Sequence, residues 1–141
     1  MKANELMVRD WVLYEGEPYQ IRELGIYGVN RDGEDYPAVC VGKSTGIGLI
    51  VERNKIKPIS LTPKILEKNG WVYNNEDEKF FPQTWVGGGL MLQGTDDCGY
   101  RIVVTSDYDD EDTNSTPFIL LYVHELQHAM RLRRIKKEIK L

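Results

Sequence analysis

With 141 residues, 41% hydrophobic and 28% charged, the chain can bury one core or two small ones, and its composition excludes wholesale disorder. A formal charge of −4 and a pI near 5.2 exclude a surface that tracks a phosphate backbone over its whole extent. The longest apolar run, residues 117–123, is too short to span a bilayer and the N-terminal residues hold scattered charges, so a cytoplasmic protein with no membrane partner is expected.

Residues 6–59 read as a meander of short strands. Trp11-Val12-Leu13-Tyr14, the turn Glu15-Gly16-Glu17 and Tyr19-Gln20-Ile21 form a hairpin pattern with alternating apolar positions. Further strands are expected at residues 38–41 and 48–52, separated by Asn30-Arg31-Asp32-Gly33 and Gly42-Lys43-Ser44-Thr45-Gly46, loops rich in residues that tolerate positive φ. Strands this short, joined by tight turns, point to a small β-barrel of the Src-homology-3 type as one domain, residues 1–59.

The segment from Lys57 to Pro63 punctuates the chain, and a second domain is expected over residues 60–141. Thr62 suits an N-cap and Pro63 the first helical position, so a short helix over residues 63–68 is predicted, closed by Asn69-Gly70. Residues 71–73, 80–81, 89–93 and 100–105 read as strands of an antiparallel sheet. Residues 107–116 form an acidic, polar loop, and the apolar run after Pro117 reads either as a last strand or as the start of the final helix. Val123, Leu126, Met130, Ile135 and Ile139 continue an apolar stripe, which predicts a C-terminal helix over residues 122–137 and makes the whole chain α+β.

Both histidines of the chain lie in His124-Glu125-Leu126-Gln127-His128. On a helix, His124 and His128 share one face and could ligate zinc, with Glu125 polarising a bound water. Catalytic zinc needs a third protein ligand, however, and Arg131 and Arg134 occupy the places where an extended HExxHxxGxxH pattern has Gly and His. Glu138 could be reached only if the helix broke, and no Gly or Pro is there to break it; an acid from the loop at 107–112 could fold back instead, and nothing else in the sequence predicts either. The string is therefore read as structural, the three polar side chains lying on the partly exposed shoulder of an amphipathic helix. No cofactor is expected, and zinc is the alternative.

Other patterns carry less. Asp107, Asp109, Asp110, Glu111 and Asp112 resemble a calcium loop, but Asp112 and Phe118 stand where an EF-hand requires Gly and Glu. Gly42-Lys43-Ser44 echoes a phosphate-binding loop whose upstream glycine falls on Pro37, and Gly87-Gly88-Gly89 suits a turn or bulge. Cys40 and Cys98 are two lone thiols that suit a reducing compartment. Arg131, Arg133, Arg134, Lys136 and Lys137 form a basic terminal helix that could contact nucleic acid or a protein partner, although no aromatic is interleaved to stack on bases.

Three segments together, ELMVRDWVLYEGEPYQI, IKPISLTPKILEKNGW and YVHELQHAMRL, resemble small uncharacterised proteins encoded in phages and mobile elements of gut anaerobic bacteria, over most of the chain. The resemblance implies no activity. The relatives' closing segment looks like YVHQLQN, with Gln at the position of Glu125 and Asn at that of His128, which implies a structural helix start. The expectation is a non-enzymatic accessory or binding protein with a protein partner; the rival is a small zinc-dependent peptidase with His124 and His128 as ligands and Glu125 as general base.

Overall fold

A computed structural model of the chain describes residues 5–43, 46–74, 76, 79–82, 90–95, 99–103 and 115–141. It divides into two compact units, Met1–Ile59 and Ser60–Leu141, both built on antiparallel sheet, and the second carries two helices. The architecture is thus α+β.

The first unit is a five-stranded meander, β1 (Trp11–Tyr14), β2 (Glu17–Val29), β3 (Asp35–Gly42), β4 (Leu49–Glu52) and β5 (Lys57–Pro58), in the order β4-β3-β2-β1-β5. Glu15 and Gly16 take φ of 51° and 83°, the left-handed pair that a two-residue hairpin loop needs to match the twist of its strands. At the tip of the β2–β3 hairpin, the Asn30 side-chain oxygen accepts from the backbone N–H groups of Asp32 (3.0 Å) and Glu34 (2.8 Å), closing the turn locally. Strand β2 is far longer than its apolar alternation suggested. Its register with β3 shifts twice, between Ile21 and Glu23 and between Glu23 and Ile26, and these irregularities hide the continuity of the strand from a period-two reading. Leu6, Val12, Ile21, Val39, Val41, Val51 and Ile56 fill the core of the unit. Asp10 is fully buried beside them, its carboxylate accepting from the Met7 N–H at 2.7 Å.

In the second unit, β6 (Trp71–Asn74), β7 (Lys79–Pro82), β8 (Met91–Gly94), β9 (Tyr100–Val103) and β10 (Ser115–Leu120) follow one another in an antiparallel sheet ordered β10-β9-β8-β7-β6. Helix α1 (Pro63–Lys68) precedes it, with the Thr62 hydroxyl accepting from the Ile65 N–H at 3.3 Å, as an N-cap does. The apolar run after Pro117 is divided: strand to Leu120, then helix α2 (Val123–Leu132). Leu66, Leu90, Leu92, Val123, Leu126 and Met130 are buried in this unit, and each such side chain stabilises it by roughly 1.5–3 kcal/mol.

Helix α2 stops at Leu132, so the expected helix to residue 137 is too long. Arg134 takes a left-handed φ of 57°, its N–H donates to Arg131 O and the Ile135 N–H donates to Met130 O, each at 2.9 Å. That bond pair is the Schellman closure, formed here without glycine. No helix among the described residues is long and apolar enough to cross a membrane. The acidic run at 107–112, Gly87-Gly88-Gly89 and Cys98 lie outside the described residues.

Candidate functional site

Helix α2 is built around positions 123, 124, 126, 127, 129 and 130, all buried. Gln127 and His124 widen the apolar stripe along one flank, which draws His124 into the interior with only 3% of its surface exposed. The expected partly exposed shoulder is therefore corrected for His124; Glu125 and His128 are half-buried.

The His124 imidazole stacks on the Tyr122 ring, centroids 5.7 Å apart and planes within 9°. His128 meets His124 edge to face, at 5.8 Å and 74°. The Nδ1 atom of His124 is enclosed and makes no hydrogen bond, while the residue is engaged through its ring contacts and others. Both rings of the string thus sit side by side, as their spacing of one helical turn requires.

Glu125 does something different from either ring. Its Oε2 accepts from the backbone N–H groups of Leu121 (2.6 Å) and Tyr122 (2.9 Å). Tyr122 is the N-cap and Glu125 the third helical residue, the position from which a carboxylate folds back over the helix start. There it satisfies donors left bare by the preceding strand and places a negative charge on the positive end of the helix dipole. Sequence reasoning singled out Glu125 only through the zinc-like string; no capping signal was legible, because Tyr122 is not one of the Ser, Thr, Asp or Asn residues that mark a capping box.

Among the described residues no group of three His, Cys, Asp or Glu side chains could hold a metal ion. Glu138, expected out of reach on an unbroken helix, lies beyond the closing turn at Arg134 and is exposed. A cleft of about 510 Å³ in the same unit is lined by Thr62, Thr95, Tyr100, Leu121 and Tyr122 among others; His124, Glu125 and His128 do not line it.

The basic residues are not gathered on one helix face. Only Arg131, half-buried, belongs to α2; Arg133 and Arg134 are exposed in the closing turn and Lys136 is exposed after it. Lys137 turns back onto the unit, where its ammonium donates to the Asn69 carbonyl and lies 5.8 Å from the centre of the Trp71 ring. The residue that organises this segment is Asn69, which sequence reasoning treated only as the end of α1. It is 3% exposed, and its amide pairs with both backbone groups of Lys140, accepting from N at 2.8 Å and donating to O at 2.7 Å, while also donating to Ile65 O at 2.8 Å. One side chain thereby acts as a peptide unit for a stretch of chain 71 residues away. No local pattern signals this, because Asn before Gly is the usual ending of a helix.

At the loop that echoed a phosphate cradle, the bonds among the described residues run through carbonyls. Arg22 donates to the carbonyls of Lys43 (2.5 Å) and Gly46 (2.8 Å), whereas a phosphate loop must present N–H groups. Ser44 and Thr45 lie outside the described residues. Comparison with protein-family models, with curated proteins and with solved structures found no match.

Proposed function

We propose that the protein is a non-enzymatic accessory or binding protein, of phage or mobile-element origin, in which HELQH is the capped start of a core helix. The observation that carries this reading is the Glu125 carboxylate, held at 2.6 and 2.9 Å from two backbone N–H groups. A general base of a zinc peptidase has to reach the metal-bound water instead. The implied relatives' Gln at this position fits the same role, since Gln serves the reciprocal half of a capping box as Glu does.

The first unit is read as a rolled, Src-homology-3-like small barrel. Its support is the return of β5 to pair with β1 after the 3-10 turn Arg53–Lys55 that succeeds β4. A protein is the favoured partner over nucleic acid, because Lys137 is committed within its own unit and the remaining cations do not line one helix face.

Elemental analysis of untagged protein tests the reading together with two variants. Zinc far below one per chain is expected, with Glu125→Gln melting near the wild type and Glu125→Ala losing about 1 kcal/mol as the cap is lost. Near-stoichiometric zinc that disappears in His128→Ala overturns the proposal and favours the peptidase, with His124 and His128 as ligands, Glu125 as base and zinc as cofactor.

A further inference from the structure

The two edges of the first unit's sheet are unlike. Edge strand β5 is two residues long and consists of Lys57 and Pro58, the residue types that keep an edge from pairing with another chain. Edge strand β4 has neither Lys nor Pro, and its register with β3 runs unbroken from Ala38↔Glu52 to Val41↔Leu49. Val51 points into the core, but Leu49 is 44% exposed, Ile50, on the face it shares with Glu52, 60%, and Ile47, just before the strand, 93%. Among the described residues, no strand lies beyond β4.

We propose that β4 pairs with β4 of a second copy of this chain, antiparallel, with Ile50 opposite Ile50 across a twofold axis. This inference is independent of how HELQH is read. The register is dictated by the pleat. In an antiparallel pair, facing residues lie on the same side of the sheet and outward-directed backbone groups must meet outward-directed ones. For a strand pairing with itself, only registers whose facing residue numbers sum to an even value satisfy both conditions.

Three such registers keep the strand centred. Val51 opposite Val51 sets Ile50 against Glu52, apolar against acid. Leu49 opposite Leu49 sets Ile50 against Gly48, where no side chain can cover it. Ile50 opposite Ile50 puts Leu49 against Val51 and Glu52 against Gly48. Arg22, whose guanidinium holds the carbonyls of Lys43 and Gly46, passes beside Gly48, its Cδ 3.9 Å from where a Cβ would stand and behind the nearer Cys40 Sγ at 2.5 Å. Glu52, whose carboxylate also reaches Lys55 Nζ at 3.1 Å, then faces the second copy's Arg22, and the symmetry repeats that charge match at the other end. Self-pairing is favoured over an unrelated strand because this one register joins apolar to apolar and acid to base with no other sequence needed.

The contact is small, so a dissociation constant on the order of micromolar is expected. Sedimentation velocity of the full chain between about 1 and 100 µM should show the mass rising from 16.3 kDa toward twice that value. Ile50→Lys sets two ammonium groups across the axis and should weaken association at least about tenfold, with the thermal melt of dilute, monomeric protein unchanged because the side chain is exposed. In a Cys40→Ser, Cys98→Ser background, Ile50→Cys should oxidise to a linked dimer much faster than Lys57→Cys on the protected edge. A chain that stays at 16.3 kDa throughout overturns the proposal, whatever else the edge accepts. So does an Ile50→Lys variant that associates like the wild type, or equal cross-linking from the two edges.

Discussion

Helices α1 and α2 both close on a residue in the left-handed region, but the residues differ. After Lys68, Asn69 is the C-cap and Gly70 takes a φ of 88°, its N–H donating to Glu67 O at 3.0 Å. After Leu132, Arg133 is the C-cap and Arg134 takes a φ of 57°. Glycine enters that region freely, whereas a residue with a Cβ is disfavoured there by about 1–2 kcal/mol. The turn after α1 is specified by local chemistry. The turn after α2 is held by the C-terminal tail: Ile139 is buried and the Lys140 backbone is clasped by Asn69. A residue at the end of one helix therefore helps to enforce the end of the other, and the strain at Arg134 is offset by tertiary contacts rather than avoided.

The most severe way to break this coupling is Asn69→Leu. It removes three side-chain hydrogen bonds from a buried site and leaves both backbone groups of Lys140 without their amide partner. Loss of a buried polar network of this size should cost about 2–4 kcal/mol in a urea melt. Trypsin cleavage at Lys136 and Lys137 should accelerate before cleavage within the sheet does. A loss under about 1 kcal/mol, with unchanged cleavage at those lysines, would show that Ile139 and the Lys137 contacts hold the tail without the clasp.

Next in size is Gly70→Ala. The new Cβ would sit at a φ of 88°, so about 1 kcal/mol of stability should disappear even though no partner is removed. The same substitution at Gly94, where φ is ordinary and an added Cβ meets nothing within 4 Å, carries no such cost. An unchanged denaturation midpoint would mean that the turn after α1 relaxes, and the contrast between the two helix ends would vanish.

What could be read from the sequence was what local residues decide. Thr62-Pro63 and Asn69-Gly70 bracketed α1 at its observed ends, and Glu15-Gly16 marked a hairpin loop, because each works within four residues of itself. The approximate positions of β6, β7, β8 and β9 could be placed from apolar runs between polar turns. The length of β2, the end of α2, the burial of His124 and the clasp at Asn69 were illegible for a common reason. Each is set by a neighbour distant in sequence, through a bulged ladder, a returning tail or a widened buried face. Glu125 is the intermediate case: the zinc-like string identified it as special without marking the cap, and only the direction of the carboxylate separates a helix cap from a residue aimed between two imidazoles.

The smallest effect has the opposite sign. Arg134→Gly should stabilise the protein, since the left-handed φ of 57° is relieved while the closing bonds to Arg131 and Met130 use only backbone atoms. Glycine also gives the unfolded chain more freedom, which takes back about 0.5–1 kcal/mol, so the net gain should be near 0.5–1 kcal/mol, or a few degrees in melting temperature. If the tail enforces the turn, the gain depends on the tail. Combining Arg134→Gly with Asn69→Leu releases residues 135–141 from the clasp, and an unclasped tail no longer obliges Arg134 to stay left-handed. The strain that glycine would relieve is then already gone, and the stabilisation measured in the wild-type background should shrink toward zero. A double-mutant cycle reads that difference as a coupling of about 0.5 kcal/mol or more between two positions linked through the tail. Simple additivity would mean that the turn after α2 is as self-contained as the turn after α1.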